Sequence, residues 1–173
     1  MTNLAGGVEG LPREKVAQFD RELAEILKRY PPERKASAMI PALRLGQALF
    51  GYISPAVQLL AADRLETSPS RAEEVATFYV MLETHPVGRH LVEVCTNVSC
   101  SLTGGDKLWA YLKQKLALAD ASSTGVTTAD GRFTLREVEC LGSCGTAPAM
   151  LVDEEMHEQL TPAKVDKILE GLK

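Results

Sequence analysis

Apolar residues in the first half of the chain recur at intervals of three and four, the spacing that places them on one face of an α-helix. The first such stretch begins at Arg13 and ends at Tyr30-Pro31-Pro32, because proline lacks an N–H group and disfavours a helical residue before it. Its apolar positions are Val16, Phe19, Leu23, Ile26 and Leu27. This stretch therefore predicts an amphipathic helix.

Three more helices are predicted to follow it. The second covers about residues 35–50, with Pro41 at the tolerated first turn of its regular part and Gly51 after its end. Ser54-Pro55 combines a side chain that caps helices with a proline at the first helical position, and Ser68-Pro69 repeats the combination. The third and fourth helices are expected to begin at these two sites.

The pattern changes after His85-Pro-Val-Gly88, whose composition is that of a linker. Short, β-branched or alternating segments then predict four strands, over about residues 91–95, 133–139, 149–152 and 156–160. Helical periodicity returns in two stretches. One is a helix of about fourteen residues whose apolar positions run from Leu108 to Leu118, and the other begins at Thr161-Pro162; residues 120–131 are expected to form a loop. We expect the strand–helix–strand unit to be parallel and the last strands to run antiparallel, which gives an α/β chain with a mixed four-stranded sheet.

All four cysteines lie at the ends of two of the predicted strands or in the loops that follow them. Cys95 and Cys100 are separated by four residues, and Cys140 and Cys144 by three. Two irons bridged by two sulfides need four thiolates, and a single zinc ion also needs four. Open α/β sheets place their ligands at the carboxyl ends of strands, so we expect the two pairs to form one site.

Small residues surround both cysteine pairs: Ser99, Ser101, Gly104, Gly105, Gly142, Ser143 and Gly145. They let the backbone approach a bulky anionic cluster and direct N–H groups at its sulfurs, which favours an iron–sulfur site. The alternatives are a structural zinc ion and a reversible dithiol, although the usual Cys-x-x-Cys motif is absent from the sequence. The three histidines, His85, His90 and His157, are interpreted as surface or packing residues, since four cysteines already complete the ligand set. Aromatic side chains at Phe78, Tyr79 and Trp109 are expected in the core, unless one near a domain junction contacts a partner.

Composition limits the classes of function. The chain has 173 residues, 45% hydrophobic and 24% charged, with a net charge of -4, which is typical of a soluble globular protein and argues against nucleic-acid binding. The sequence contains no apolar run of the roughly 18 residues that a membrane span needs, and residues 1–12 are interpreted as a flexible lead without secretory features. We therefore expect a cytoplasmic location, where paired thiols indicate metal or redox chemistry. With neither a Gly-x-Gly-x-x-Gly motif nor a P-loop, the chain is not expected to bind a nucleotide.

The motif Cys95-Thr-Asn-Val-Ser-Cys100, followed about forty residues later by Glu139-Cys-Leu-Gly-Ser-Cys-Gly-Thr-Ala-Pro148, resembles the thioredoxin-like [2Fe-2S] ferredoxin family. Within that family it is similar to the 24 kDa subunits of NADH:quinone oxidoreductase, respiratory complex I. Further similar segments are Arg29-Tyr-Pro, Ile40-Pro-Ala-Leu, Val75-Ala-Thr-Phe-Tyr79, Pro86-Val-Gly-Arg-His and Thr161-Pro-Ala-Lys-Val165. The resemblance covers about residues 13–172.

This resemblance implies a helical bundle domain over residues 13–86 and a thioredoxin-like [2Fe-2S] ferredoxin domain over residues 87–173. It implies one cluster, docking to a flavin- and NADH-binding subunit that carries FMN, and a larger iron–sulfur subunit in the same complex. The complex would be the peripheral arm of a membrane-associated oxidoreductase, in which this chain is not catalytic alone. The alternatives are the equivalent diaphorase-module subunit of an NAD-linked hydrogenase or formate dehydrogenase, and a zinc-stabilised scaffold.

The pairing of ligands is predicted from loop length. Each short loop can fold its own two sulfurs around one metal, whereas the two loops are joined only through the fold. We therefore predict that Cys95 and Cys100 bind one iron and that Cys140 and Cys144 bind the other.

Overall fold

The structure is a computed structural model that describes residues 10–172. The chain forms two compact units, Met1–Pro86 and Val87–Lys173. Residues 1–9, most of the predicted flexible N-terminus, lie outside the described residues. Over residues 10–172, none of the helices combines the length and apolar character needed to cross a membrane.

The first unit is built from helices. These are α1 (Arg13–Leu27), a 3₁₀-helix (Pro32–Ala38), α2 (Met39–Phe50), α3 (Pro55–Arg64) and α4 (Pro69–Phe78). The hydroxyls of Ser54 and Ser68 each accept a hydrogen bond from a backbone N–H in the first turn of their helix, at 3.3 Å. Both helices therefore begin where the Ser-Pro pairs predict, because serine satisfies an otherwise unpaired donor and proline needs none.

The core of this unit contains one apolar stripe from each helix. Phe19, Leu43 and Leu60 are fully buried, and Gly46 of α2 lies against α3. The predicted second helix begins in the regular α conformation at Met39, because the segment before it forms the 3₁₀-helix.

The prediction that Phe78 lies in the core is wrong, since its side chain is 76% exposed. Phe78 is the last residue of α4, in which Val75 and Ala76 occupy the buried positions. Tyr79 leaves the helical conformation and packs against the core, with its ring edge-on to Phe78 at a centroid distance of 5.0 Å.

The second unit is a mixed sheet with three helices. Its elements are β1 (His90–Cys95), α5 (Val98–Leu102), α6 (Gly105–Lys115), β2 (Val126–Thr127), β3 (Phe133–Val138), a 3₁₀-helix (Cys144–Thr146), β4 (Met150–Val152), β5 (Glu155–His157) and α7 (Pro162–Gly171). The strand order is β2-β3-β1-β4-β5. β1 pairs with β3 in parallel and with β4 antiparallel, and β4 pairs with β5 antiparallel. The predicted α/β class and mixed sheet are confirmed.

The sheet has five strands where the sequence predicts four. The additional strand, β2, lies inside the segment expected to be a loop and pairs antiparallel with β3. A two-residue strand is too short to show alternation, so the pattern alone does not reveal it. The hydroxyls of Thr127 and Thr134 join it to β3 at 2.7 Å.

The two faces of the sheet differ in chemistry. Val92 and Val94 of β1 are fully buried in a cluster that includes Leu112 of α6 and Val165 of α7, and Trp109 packs against the same cluster. Between the two valines, Glu93 points to the opposite face and accepts hydrogen bonds from the guanidinium of Arg136, at 2.9 and 2.6 Å; the residue is 8% exposed. Parallel pairing of β1 with β3 aligns these two residues directly.

Candidate metal centre

The two cysteine loops meet where the paired parallel strands end. Cys95 is the last residue of β1 and lies opposite Val138, the last residue of β3, with Cys140 two positions further on. The Cys95 thiol donates a long hydrogen bond, 3.8 Å, to the carbonyl oxygen of Glu139, which directly precedes Cys140. The parallel register therefore places the start of both loops at the carboxyl ends of two neighbouring strands, as predicted.

The first loop is a single short helix that turns Cys100 back toward β1. Asn97 caps this helix, α5, by accepting a hydrogen bond from the N–H of Val98 at 2.8 Å. The carbonyl oxygen of Cys100 accepts hydrogen bonds from both the N–H and the hydroxyl of Thr103, each at 3.2 Å. These bonds fix the backbone of Cys100 on the inner side of the loop.

Gly105, the first residue of α6, lies tightly against this loop. A Cβ atom at Gly105 would be 2.8 Å from the carbonyl oxygen of Cys100 and 3.0 Å from that of Cys95. Backbone atoms cannot move aside as a flexible side chain would, so only glycine allows α6 to begin so close to the first cysteine pair.

The second loop bends sharply between its cysteines. Gly142 has a φ of 76°, which favours glycine, and its N–H donates a hydrogen bond to the sulfur of Cys140 at 3.3 Å. Cys144 begins the 3₁₀-helix, after which the chain continues through the cis peptide bond Ala147-Pro148. The next residue, Ala149, is fully buried, and its carbonyl oxygen accepts a hydrogen bond from the N–H of Cys95 at 3.2 Å.

The two cysteine pairs differ in exposure. Cys95 and Cys100 are each 3% exposed, whereas Cys140 and Cys144 are exposed. Burial raises the pKa of the Cys100 thiol, and the thiols of Cys95 and Cys144 raise this pKa further. A hydrogen bond with the backbone of Ala149 lowers the pKa but does not offset the increase. Cys100 lies in one buried cluster with Cys95 and Ala149. The Cys100 thiol resists ionisation unless a cation compensates the charge, as a coordinated metal does.

Comparison with known protein families matches residues 23–173 to the thioredoxin-like [2Fe-2S] ferredoxins. This chain belongs to the thioredoxin-like [2Fe-2S] ferredoxin family. The family resemblance predicted from the cysteine motif is therefore confirmed, and so is the predicted [2Fe-2S] cofactor.

Curated relatives of this ferredoxin cover nearly its whole length. It is 41% identical over 161 residues to a subunit of the NADH-quinone oxidoreductase of Rickettsia bellii, and the match covers 90% of this chain and 93% of that protein. It is 35% identical over 170 residues to the corresponding subunit of the NADH-quinone oxidoreductase of Mycobacterium bovis, where the match covers 96% of this chain and 65% of that protein.

Among solved structures, the ferredoxin is similar to a chain of an NAD⁺-reducing [NiFe]-hydrogenase in its H₂-reduced state, with a TM-score of 0.69 and 22% identity. The match covers 80% of this chain and 22% of that chain. At this level of identity, the likeness shows a shared fold.

The donor set of this ferredoxin fits its family's cluster. Four soft thiolates are the ligands that a [2Fe-2S] cluster takes, and the N–H of Gly142 already points at a sulfur, as in many iron–sulfur sites. In residues 10–172, no three side chains of His, Cys, Asp or Glu are grouped so as to hold a single metal ion. His90 begins β1, at the end of the strand away from Cys95, and bonds to Asp153 at 2.9 Å. The assignment of Cys95, Cys100, Cys140 and Cys144 as ligands stays a prediction.

Carboxylates next to the cysteine loops are a feature that sequence reasoning missed. Glu137 accepts a hydrogen bond from the hydroxyl of Thr96 at 2.5 Å, and Asp106 accepts one from Ser101. Each of these hydroxyl residues directly follows a cysteine. The third carboxylate is Glu158, which bonds the second loop. The hydroxyls are visible in the sequence beside Cys95, Cys100 and Cys144, but the fold supplies their carboxylate partners, so only the structure reveals those partners.

Proposed function

We propose that this ferredoxin is the electron-transfer subunit of an NADH-quinone oxidoreductase and holds one [2Fe-2S] cluster beside the flavin- and NADH-binding subunit. The observation that carries the proposal is the meeting of two cysteine loops at the ends of two paired parallel strands. The relative from Rickettsia bellii, 41% identical and aligned over most of both chains, supports the choice of complex.

The proposed ligands divide by loop. Cys95 and Cys100 would hold one iron, and Cys140 and Cys144 the other, since a loop of four or three residues can fold both of its sulfurs around one metal. When bound, the cluster supplies reversible one-electron storage. The protein excludes water from the first pair, which is 3% exposed, and leaves the second pair open to the surface. The exposed second loop is therefore the side from which an electron would enter and leave.

The reaction would require a partner. NADH delivers a hydride, that is two electrons, whereas the cluster takes one, so a flavin must divide the pair. The FMN and the NADH site would belong to the partner subunit, and a larger iron–sulfur subunit would complete the peripheral arm of the membrane-associated complex. This chain would thus be part of an oxidoreductase without oxidising NADH itself.

We further propose separate roles for the two units. Residues 87–173 contain all four cysteines and would form the ferredoxin domain. Residues 13–86 would form the helical domain that docks to the flavin subunit. Its exposed apolar side chains Phe78, Val80 and Met81, exposed by 76%, 81% and 46%, are suited to burial against another protein.

The ligand assignment is tested with four single Cys→Ser variants. Each should lose or alter the cluster, measured as iron and acid-labile sulfide per chain and by EPR of the reduced protein. Ser37→Ala, which changes an exposed serine in the unit that contains no cysteine, is the control. Wild-type iron, sulfide and EPR signals in all four cysteine variants would refute the assignment.

The partner is tested by co-expression with a flavin-binding subunit. The purified, cluster-loaded chain should not oxidise NADH, while the pair should reduce an artificial acceptor with NADH. Steady turnover by the isolated chain in a sample free of flavin would refute the proposal. Phe78→Ser combined with Val80→Ser should keep the cluster but weaken co-purification, and Glu73→Ala, an exposed change on the same helix, should alter neither.

A further inference from the structure

Glu158 follows β5 and contacts the second cysteine loop with its carboxylate. Its Oε1 atom accepts hydrogen bonds from the hydroxyl of Thr146, at 2.5 Å, and from that of Ser143. These two hydroxyl oxygens lie 2.8 Å apart, so a single carboxylate oxygen holds both. Ser143 directly precedes Cys144, and Thr146 lies two residues after it. One side chain, 12 and 15 residues further along the chain than its two partners, thus bonds the side chains on both sides of Cys144.

The backbone after Glu158 reinforces this contact. The N–H of Gln159 donates to the carbonyl oxygen of Thr146 at 2.7 Å, and the N–H of Leu160 donates to that of Pro148 at 3.1 Å. These bonds fasten the end of the loop, from Thr146 onward. The Glu158 side chain extends the attachment to Ser143, on the other side of the cysteine.

We propose that Glu158 is a positioning residue of the iron–sulfur centre, which holds Cys144 in place and keeps the reduction potential of the bound cluster low. This inference rests on the proposed ligation by Cys140 and Cys144. Reduction adds one electron to the cluster, so a carboxylate beside an iron-binding loop opposes it electrostatically. Hydrogen-bonded groups around the ligands tune a metal centre in the same way.

Two effects are combined in Glu158, and different variants separate them. Glu158→Gln removes the charge but keeps an oxygen that accepts hydrogen bonds from the two hydroxyls. Glu158→Asp keeps the charge but shortens the side chain by one methylene, so the carboxylate no longer reaches both hydroxyls. Glu158→Ala removes both effects. Glu155→Gln is the matched control, because Glu155 is also exposed, lies on β5 and carries the same charge.

The test measures two properties of the full-length, cluster-loaded chain. The reduction potential, from a redox titration followed by EPR, should be more positive in Glu158→Gln and Glu158→Ala than in Glu155→Gln. The rate of iron loss to a chelator should rise severalfold in Glu158→Ala and Glu158→Asp, and stay near the wild-type rate in Glu158→Gln. The potential then follows the charge, while iron loss follows the hydroxyl contacts.

Either of two results would overturn this inference and leave the ligand assignment intact. One is a reduction potential in Glu158→Gln equal to that of Glu155→Gln, and the other is iron loss in Glu158→Ala no faster than in Glu155→Gln. The wild-type chain with its bound cluster is measured alongside these variants. A Cys144→Ser variant with an unchanged cluster would instead overturn the ligand assignment, and this inference with it.

Discussion

Replacing Gly105 with alanine would place a methyl group where the backbone of the first cysteine loop already lies. The new Cβ would be 2.8 Å from the carbonyl oxygen of Cys100, 2.9 Å from its carbonyl carbon and 3.0 Å from the carbonyl oxygen of Cys95. Ordinary van der Waals contact begins at 3.4 Å, so α6 and the loop must separate by 3.4 − 2.8 = 0.6 Å. This movement acts directly on the backbone of the two buried cysteines.

The cost has two sources. Inserting a methyl group into a packed site costs about 1–3 kcal/mol. The carbonyl oxygen of Cys100 also accepts two hydrogen bonds from Thr103, and weakening either costs on the order of 1 kcal/mol. We therefore expect Gly105→Ala to lower the free energy of unfolding by about 2–3 kcal/mol and to reduce the iron bound per chain.

The assay is urea unfolding followed by the fluorescence of Trp109, the single tryptophan, which lies in the same helix as Gly105. Iron and acid-labile sulfide are measured on the same samples. Gly171→Ala is the matched control, because a Cβ at Gly171 meets nothing within 4 Å and Gly171 lies in α7 of the same unit, outside the cysteine loops. If Gly105→Ala keeps the iron content and unfolding midpoint of Gly171→Ala, the close approach of α6 is not what shapes the loop.

Further predictions concern the rest of the fold. Glu93→Gln should lower the free energy of unfolding by about 3 kcal/mol in the same urea assay, because it leaves Arg136 without its buried carboxylate. The double variant Glu93→Leu/Arg136→Met should lower the free energy of unfolding by less, and equal losses in the single and double variants would contradict this reasoning. Hydrogen bonding to Lys115 lowers the pKa of Asp166 in the folded protein. The stability that Asp166 adds is therefore complete at pH values above the ordinary pKa of an aspartate, and it is lost as the pH falls through the lower pKa of the folded state. Asp166→Asn should therefore flatten the pH dependence of unfolding below about pH 4, and a profile parallel to wild type would argue against the contact. Ser54→Ala should cost about 1 kcal/mol, measured by circular dichroism in urea, and a neutral effect would show that its cap is dispensable.

The sequence predicts those features that depend on short-range rules. Ser54 and Ser68 stand at the starts of α3 and α4, because a cap and a proline act within one turn. The strands that precede Cys95 and Cys140 were also predictable, since each has enough residues to show its pattern. Their parallel pairing follows from the helical connection between them.

Features that depend on long-range contacts were not predictable. β2 is too short to show a period and exists only because β3 lies beside it. Phe78 fits the apolar face of its helix, yet the helix ends at this residue and leaves the ring exposed. Glu158 has the sequence context of an ordinary surface charge, because the hydroxyls that it binds are brought to it by the fold.

The position of β1 in the middle of the sheet has a consequence for biosynthesis. β1 is flanked by β3 on one side and β4 on the other, and the N–H of Cys95 bonds to Ala149, which lies just before β4. A nascent chain that has released only its first cysteine pair from the ribosome has neither neighbour of that strand. Cluster insertion is therefore expected after translation of almost the entire polypeptide, and an iron–sulfur carrier would have to recognise a nearly complete domain.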